Sequence, residues 1–180
     1  MSEPRELRVV TVGHRSKTVL LMVLNDKPFP ERYIPTIFEN YTQEMYINNA
    51  PWKFHMWDTA DQDEYALLRP LSYSGVNVVL LVFDLSSKTS FKKLDEYWIH
   101  EVKLYCRDAT LLLIGTKLDL RETGNPNHVT DQEAEQFVKE HECAAYIPCS
   151  PKTGEGIDKI LPAAVQAFET PPKKEWCLIC

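Results

Sequence analysis

Leu111-Leu112-Leu113-Ile114-Gly115-Thr116-Lys117-Leu118-Asp119 is the stretch on which the fold turns. Its apolar half is an unbroken run, as in a strand buried on both faces of a parallel sheet. Its polar half, Thr116-Lys117-Leu118-Asp119, follows at once. It therefore stands at the carboxyl end of that strand, where open α/β sheets place their ligands. An aspartate there can accept hydrogen bonds from both the ring N–H and the amino group of guanine, a pair that adenine does not offer.

Working outward, the pattern predicts strands over Leu7 to Val12, Thr42 to Asn48, Lys53 to Asp58, Val78 to Asp84, Thr110 to Gly115 and Tyr146 to Cys149. The second and third form a hairpin turning at Asn48-Asn49-Ala50-Pro51. Helices are predicted from Lys17 to Leu24, from a Ser90 cap through Phe91, Leu94, Trp98, Val102 and Tyr105, near Asp131 to His141, and over Ile157 to Phe168. Thr130 and Glu133 have the spacing of a capping box. Alternating strands and helices imply a doubly wound, mostly parallel α/β sheet with one antiparallel edge hairpin.

The 180 residues read as one domain over 1–170, with a short tail over 171–180. Such a chain buries roughly 70% of its unfolded surface and needs no metal or disulfide staple. The net charge of −6 provides no basic field to recruit nucleic acid. Five cysteines in no zinc-ligand spacing suit a reducing compartment. No apolar run approaches the ~20 residues of a membrane-spanning helix, and the charged start is unlike a signal peptide. The chain closes on Cys177-Leu178-Ile179-Cys180, a cysteine followed by two aliphatic residues and a last residue, the pattern of a prenylation box.

Further candidate groups lie at other strand ends. Lys17-Thr18 opens the first helix, where an ammonium and a hydroxyl suit phosphate and Mg²⁺. Asp58 closes a strand in Trp57-Asp58-Thr59-Ala60-Asp61-Gln62 and can hold Mg²⁺ through water. Ser150-Pro151-Lys152 follows the last strand and can back a bound base.

In order and spacing, Lys17-Thr18, Thr36, Asp58 to Gln62, Thr116 to Asp119 and Ser150 to Lys152 resemble the motifs of small GTPases over nearly the whole chain. Within them, Phe29-Pro30-Glu31-Arg32-Tyr33-Ile34-Pro35-Thr36-Ile37-Phe38-Glu39-Asn40-Tyr41 resembles switch I of the Rho family. Asp63-Glu64-Tyr65 with Leu68-Arg69-Pro70-Leu71-Ser72-Tyr73 resembles its switch II. The resemblance implies a P-loop NTPase fold, a GTP/GDP switch using Mg²⁺, and a role in signalling to the actin cytoskeleton. It implies that Gly13, Ser16 and Lys17 meet phosphate, Thr18 and Thr36 ligate Mg²⁺, and Asp58 holds the metal through water. Gln62 would orient the attacking water, with Ala60 beside the nucleotide and Tyr33 over the phosphates. Phe29, Lys117 and Asp119 would hold guanine, supported by Ser150 and Lys152, and Cys177 would carry the lipid. Implied partners are exchange factors, GTPase-activating proteins, a dissociation inhibitor, effectors and the cytoplasmic face of a membrane.

Four features depart from the family pattern. The phosphate loop lacks the glycines at its start and before the lysine. Ungapped, Thr11 and Ser16 replace them; gapped, Gly13 is the first glycine and the loop is two residues short. The ungapped form keeps the family's spacing from the N-terminus to Lys17 and Thr36, and the gapped form, which we favour, keeps the better first strand. Asp61 replaces a glycine beside the γ-phosphate. A carboxylate ~4 Å from a phosphate charge costs roughly 4 kcal/mol at an effective dielectric of ~20. Pro151 stands where the family usually has alanine, and Glu122 to Thr130 is too short for the family's helical insert. Three readings follow: a Rho-like switch with impaired hydrolysis or weakened affinity, in which case GTP would be hydrolysed to GDP and phosphate; a pseudo-GTPase that works as an interaction module; or a normal GTPase whose loop compensates, with the Arg15 guanidinium on the phosphates.

Overall fold

The computed structural model describes residues 3–32, 38–60 and 65–172. In chain order the elements are β1 (Arg5–Gly13), α1 (Ser16–Leu24), β2 (Phe38–Ile47), β3 (Ala50–Thr59), β4 (Val78–Asp84), α2 (Lys88–Lys93), α3 (Ile99–Tyr105), β5 (Thr110–Thr116), α4 (Asp131–Glu140), β6 (Ala145–Pro148) and α5 (Ile160–Glu169). Among the described residues six strands form one sheet in the order β2-β3-β1-β4-β5-β6. All pairings are parallel except β2 with β3. This is the doubly wound sheet with one antiparallel edge hairpin that the alternation of patterns predicts.

Every residue of β4 and β5 is buried, because neighbouring strands cover both edges and helices cover both faces. Alternate side chains feed two separate cores. Val9, Leu80, Leu112 and Ile114 pack with Leu20, Leu21, Ile160 and Val165, under α1 and α5. Val10, Leu81, Leu111 and Leu113 pack with Leu94, Trp98, Val102 and Phe137, under α2, α3 and α4. Fully burying one such aliphatic side chain stabilises by about 1.5–3 kcal/mol.

The local signals act as chemistry requires, with two adjustments. Asn48 and Asn49 both have positive φ, 52° and 60°, and Ile47 pairs with Ala50. The hairpin turn is thus a two-residue loop of the type that asparagine tolerates. It is tighter than the sequence suggests, since Ala50 and Pro51 belong to β3. Pro51 is accommodated because β1 pairs with β3 only from Trp52 onward. The second adjustment concerns the α2 cap. Ser87 is the cap and its side chain accepts from the Ser90 amide at 3.3 Å. Ser90, expected as the cap, instead lies inside the helix, where its hydroxyl donates to the Ser87 carbonyl at 2.8 Å and accepts from the Asp84 amide at 2.9 Å. The Thr130–Glu133 capping box forms as read, in both directions.

Between α2 and α3 the helix continues through a π-helical segment, Leu94–Trp98. Such bulges re-aim side chains. Here the Trp98 ring lies 4.8 Å from the Arg69 guanidinium, and Tyr97 bonds it. Arg69, on the 3₁₀ turn Arg69–Tyr73, is buried and makes a bidentate pair with Glu101 of α3, at 2.9 and 2.8 Å. It also reaches the Ala60 carbonyl at 3.4 Å, and Tyr73 donates to Glu101. The cluster ties the chain that follows β3 to α3. Burial disfavours the Glu101 carboxylate, but hydrogen bonds from Arg69 and Tyr73 outweigh it and lower its pKa.

A group with a lowered folded pKa stabilises above its unfolded pKa, about 4.3 for glutamate, and that contribution is lost as pH falls through the folded value. Glu101→Gln should leave a buried guanidinium without its counter-charge and destabilise at neutral pH, by on the order of 3–5 kcal/mol. It should also flatten the loss of stability below about pH 4.3. Urea unfolding of both proteins across pH checks this, and equal midpoints at neutral pH would exclude it.

Candidate functional site

The carboxyl ends of β1, β4, β5 and β6 converge on one side of the sheet, because these strands run parallel in near-flush register. Gly13 pairs with Val82, Asp84 with Thr116, and Gly115 with Pro148.

At the end of β5 the backbone turns sharply. Lys117 adopts a left-handed conformation, φ 60°, and starts the 3₁₀ turn Leu118–Leu120. A non-glycine residue held there costs on the order of 1–3 kcal/mol and persists only where its surroundings over-determine it. They do here. The Leu118 amide donates to the Cys149 carbonyl at 3.0 Å, and the Cys149 amide donates to that of Gly115 at 2.7 Å. The Lys117 ammonium meets an Asp84 carboxylate oxygen at 2.5 Å. The other Asp84 oxygen accepts from the Ser86 amide and hydroxyl at 2.8 and 2.6 Å. Burial opposes the Asp84 charge, but the bonds from Lys117 and Ser86 prevail and lower its pKa.

Asp119 is fixed by Ser150, whose hydroxyl donates to one carboxylate oxygen at 2.5 Å. Ser150 is buried, and its own backbone is held by the turn that follows, with its amide on the Glu155 carbonyl at 2.8 Å. The structure thus brings together Lys117, Asp119, Ser150 and Lys152. A cleft of about 580 Å³ opens there, walled at this end by Phe29, Lys117, Asp119, Leu120, Pro151 and Lys152. Phe29 is 45% exposed, an apolar ring left at the cleft rim. An aromatic face opposite an anchored carboxylate can stack on a planar base while the carboxylate accepts from its edge.

The other end of the same cleft is walled by His14, Arg15, Ser16, Val19 and Thr116. β1 runs on through Thr11 to Gly13, and α1 starts at Ser16. Thr11 is buried mid-sheet, with its hydroxyl on the Trp57 carbonyl at 3.1 Å. Only the gapped arrangement, with Gly13 closing the strand, matches these bounds. Gly13 has φ 112°, and a Cβ there would lie 2.1 Å from the Val82 carbonyl oxygen. The connection is closed by side chains. His14 Nδ1 lies 3.0 Å from Ser16 Oγ, which lies 2.7 Å from Thr116 Oγ1, which donates to the Phe83 carbonyl at 2.8 Å. Lys17 is 2% exposed.

Beside it, Thr18 donates to Asp58 at 2.6 Å, and both are buried. This hydroxyl and carboxylate form an all-oxygen donor pair of the kind Mg²⁺ takes, so the residues present fit that ion. Ala60 is buried just beyond β3. Tyr33, Thr36, Asp61, Gln62 and Cys177 lie outside the described residues.

Sequence reasoning passed over Asp84 and Ser86, which orient Lys117, and over the closure of His14 on Ser16 and Thr116. A signal for Asp84 was present, since a carboxylate closes the apolar run Val78 to Asp84; the register then sets it across from Thr116.

The family model described as Ras family matches residues 8–170. The Ras-like GTP-binding protein RhoL of Drosophila melanogaster is 36% identical over 181 residues, covering 98% of this chain and 95% of its own. The GTP-binding protein RHO1 of Candida albicans is 36% identical over 188 residues, covering 97% of this chain and 95% of its own. With the sheet order, the strand-end site and nearly full-length similarity in agreement, the chain belongs to the Rho family of Ras-like small GTPases.

Proposed function

We propose that this protein is a Rho-like switch whose cleft takes guanine nucleotide with Mg²⁺, with nucleotide affinity or hydrolysis impaired by its phosphate loop. The observation that carries the reading is the Asp119 carboxylate, pinned by Ser150 and flanked by Lys117, at the mouth of a cleft edged by Phe29. Asp119 and Lys117 read the base, Ser150 and Lys152 support them, and Phe29 lies against the ring. Thr18 and Asp58, with Thr36, hold Mg²⁺, which when bound neutralises phosphate charge. Gln62 is the residue to orient water, and Asp61, a carboxylate where the family has glycine, slows turnover.

A second reading, a pseudo-GTPase acting as an interaction module, is favoured by the closure of the phosphate loop on His14, Ser16 and Thr116. Under either reading, exposed Leu67, Leu68 and Leu71 offer an apolar surface to regulators and effectors. The named relatives are a Ras-like GTP-binding protein and a GTP-binding protein, which supports the first reading. Denaturing the purified protein and chromatographing what it releases separates the two. About one guanine nucleotide per chain supports the switch, and an empty protein supports the module.

The base pocket has its own test. Asp119→Asn replaces an acceptor by a mixed donor and acceptor, and should shift preference from guanine toward xanthine nucleotides. Competition of GTP and XTP for wild type and variant measures it, and unchanged preference would remove Asp119 from the pocket.

The tail, 171–180, is proposed as a prenylated anchor on Cys177. Lys173-Lys174 is a weak basic patch, and one lipid chain needs a second signal for stable anchoring. Attachment to the cytoplasmic face of a membrane should therefore be reversible. Among the described residues no helix is long and apolar enough to cross a membrane. Cys177→Ser should move the protein from the membrane to the cytosolic fraction in cell fractionation. Identical distribution of the two proteins would refute the anchor.

A further inference from the structure

The described chain ends beside an acidic groove of its own domain. Pro171 and Pro172 line a cavity of about 260 Å³ with Lys103, Arg107, Asp108, His141 and Glu142. The tail therefore leaves at the Thr110 end of β5, away from the Thr116 end that lines the nucleotide cleft. A run of rings leads outward from this exit. The His141 ring centroid lies 4.2 Å from that of Phe137, which lies 5.4 Å from that of Phe91. Phe137 and Phe91 line a groove of about 520 Å³ between α4 and the α2 helix with its π-helical continuation.

The groove also carries Asp95, Glu133 and Glu140, against Lys92. Glu133 is committed to Lys88 at 2.8 Å and to the Thr130 amide at 2.9 Å. The other two carboxylates pair with no lysine or arginine among the described residues. Glu140 accepts from the Gln136 side chain at 2.8 Å, and Asp95 lies 2.9 Å from His141 Nε2. Burial, and then the Lys103 ammonium, lower the His141 pKa, so at neutral pH the ring is uncharged and leaves the Asp95 charge in place. The segment that follows Pro172 is the complement of this groove: Lys173-Lys174-Glu175-Trp176 brings two ammonium groups and then an indole. Lys103 and Arg107 at the exit oppose the two lysines, and Asp108 and Glu142 beside them offset that. The four residues from Pro172 to Trp176 span up to roughly 13 Å when extended. Along α4, the path from His141 back to Phe137 is roughly 6 Å, so the segment reaches the groove with slack.

We propose that the tail segment Lys173 to Trp176 docks on its own domain, in the groove between α2 and α4, with the Trp176 indole against Phe91 and Phe137 and the two lysines toward Glu140 and Asp95. An indole suits this place, since it brings a large apolar face for the rings and an N–H donor for the polar rim. Docked, the segment withdraws Lys173, Lys174 and the neighbouring Cys177 from a membrane surface; released, it presents them. The domain thus controls the availability of its own tail, whether or not Cys177 carries a lipid and whatever the cleft binds.

Carbodiimide cross-linking of the full-length protein, with peptide mapping of the monomer and dimer bands by mass spectrometry, tests this. The Lys88–Glu133 pair, already in contact, is the internal control for a folded domain. The expected product is an isopeptide bond from Lys173 or Lys174 to Asp95 or Glu140 in the monomer band. Its yield should fall by about tenfold in Trp176→Ala while the control is unchanged. Formation of the control product with no tail–groove product overturns the inference. A tail–groove product confined to the dimer band also overturns it, because the occupant is then the tail of a second copy. So does a yield that Trp176→Ala leaves unchanged, because lysine charge alone then makes the contact.

Discussion

The parallel pairing of β1, β4, β5 and β6 is the constraint on which the rest depends. β4 and β5 are buried on both faces, and β1 is buried over its carboxyl half, so none of them can slip by one residue without moving its apolar side chains from one helix layer to the other. The register is therefore tightly specified, and it places Gly13, Asp84, Thr116 and Pro148 on one rim. Everything chemical in the molecule hangs from that rim. The left-handed turn at Lys117 is held because Cys149, directly after β6, arrives alongside to accept the Leu118 amide. Asp119 is held because the loop after β6 presents Ser150 to it.

The same register explains why the phosphate end is so altered. β1 continues to Gly13 in contact with β4, and α1 begins at Ser16, so His14 and Arg15 alone form the connection. A strand pinned at one side and a buried helix start at the other leave the connection little freedom. Its hydrogen-bonding groups are satisfied locally, by His14, Ser16 and Thr116. Buried polar groups need partners, and a short loop finds them within the protein.

The Arg69–Glu101 cluster adds a second layer of order just beyond the carboxyl end of β3. It joins the Ala60 carbonyl, the 3₁₀ turn and α3 through one buried guanidinium. A buried ion pair contributes little net stability compared with apolar packing, but breaking it is costly. It therefore sets how the 3₁₀ turn Arg69–Tyr73 docks on α3 more than how stable the domain is.

Much was legible in the sequence because it depends on local pattern. Unbroken apolar runs at Val78 to Asp84 and Thr110 to Gly115 require burial on both faces, and alternation with helices then requires a parallel sheet. Asn48-Asn49 and Thr130-Glu133 carry turn and cap chemistry in their own side chains. The order of strand-end motifs located the site. Other features needed the tertiary structure, because they join residues far apart in the chain. Asp84 reaches Lys117, and Ser16 reaches Thr116, only across paired strands. Ser87 rather than Ser90 caps α2, because the Asp84 amide occupies the Ser90 hydroxyl. Whether Gly13 ends a strand or sits within a loop was only favoured one way by the local pattern, through the better first strand. The close approach of the Val82 carbonyl, which only a residue without a Cβ permits, decides it.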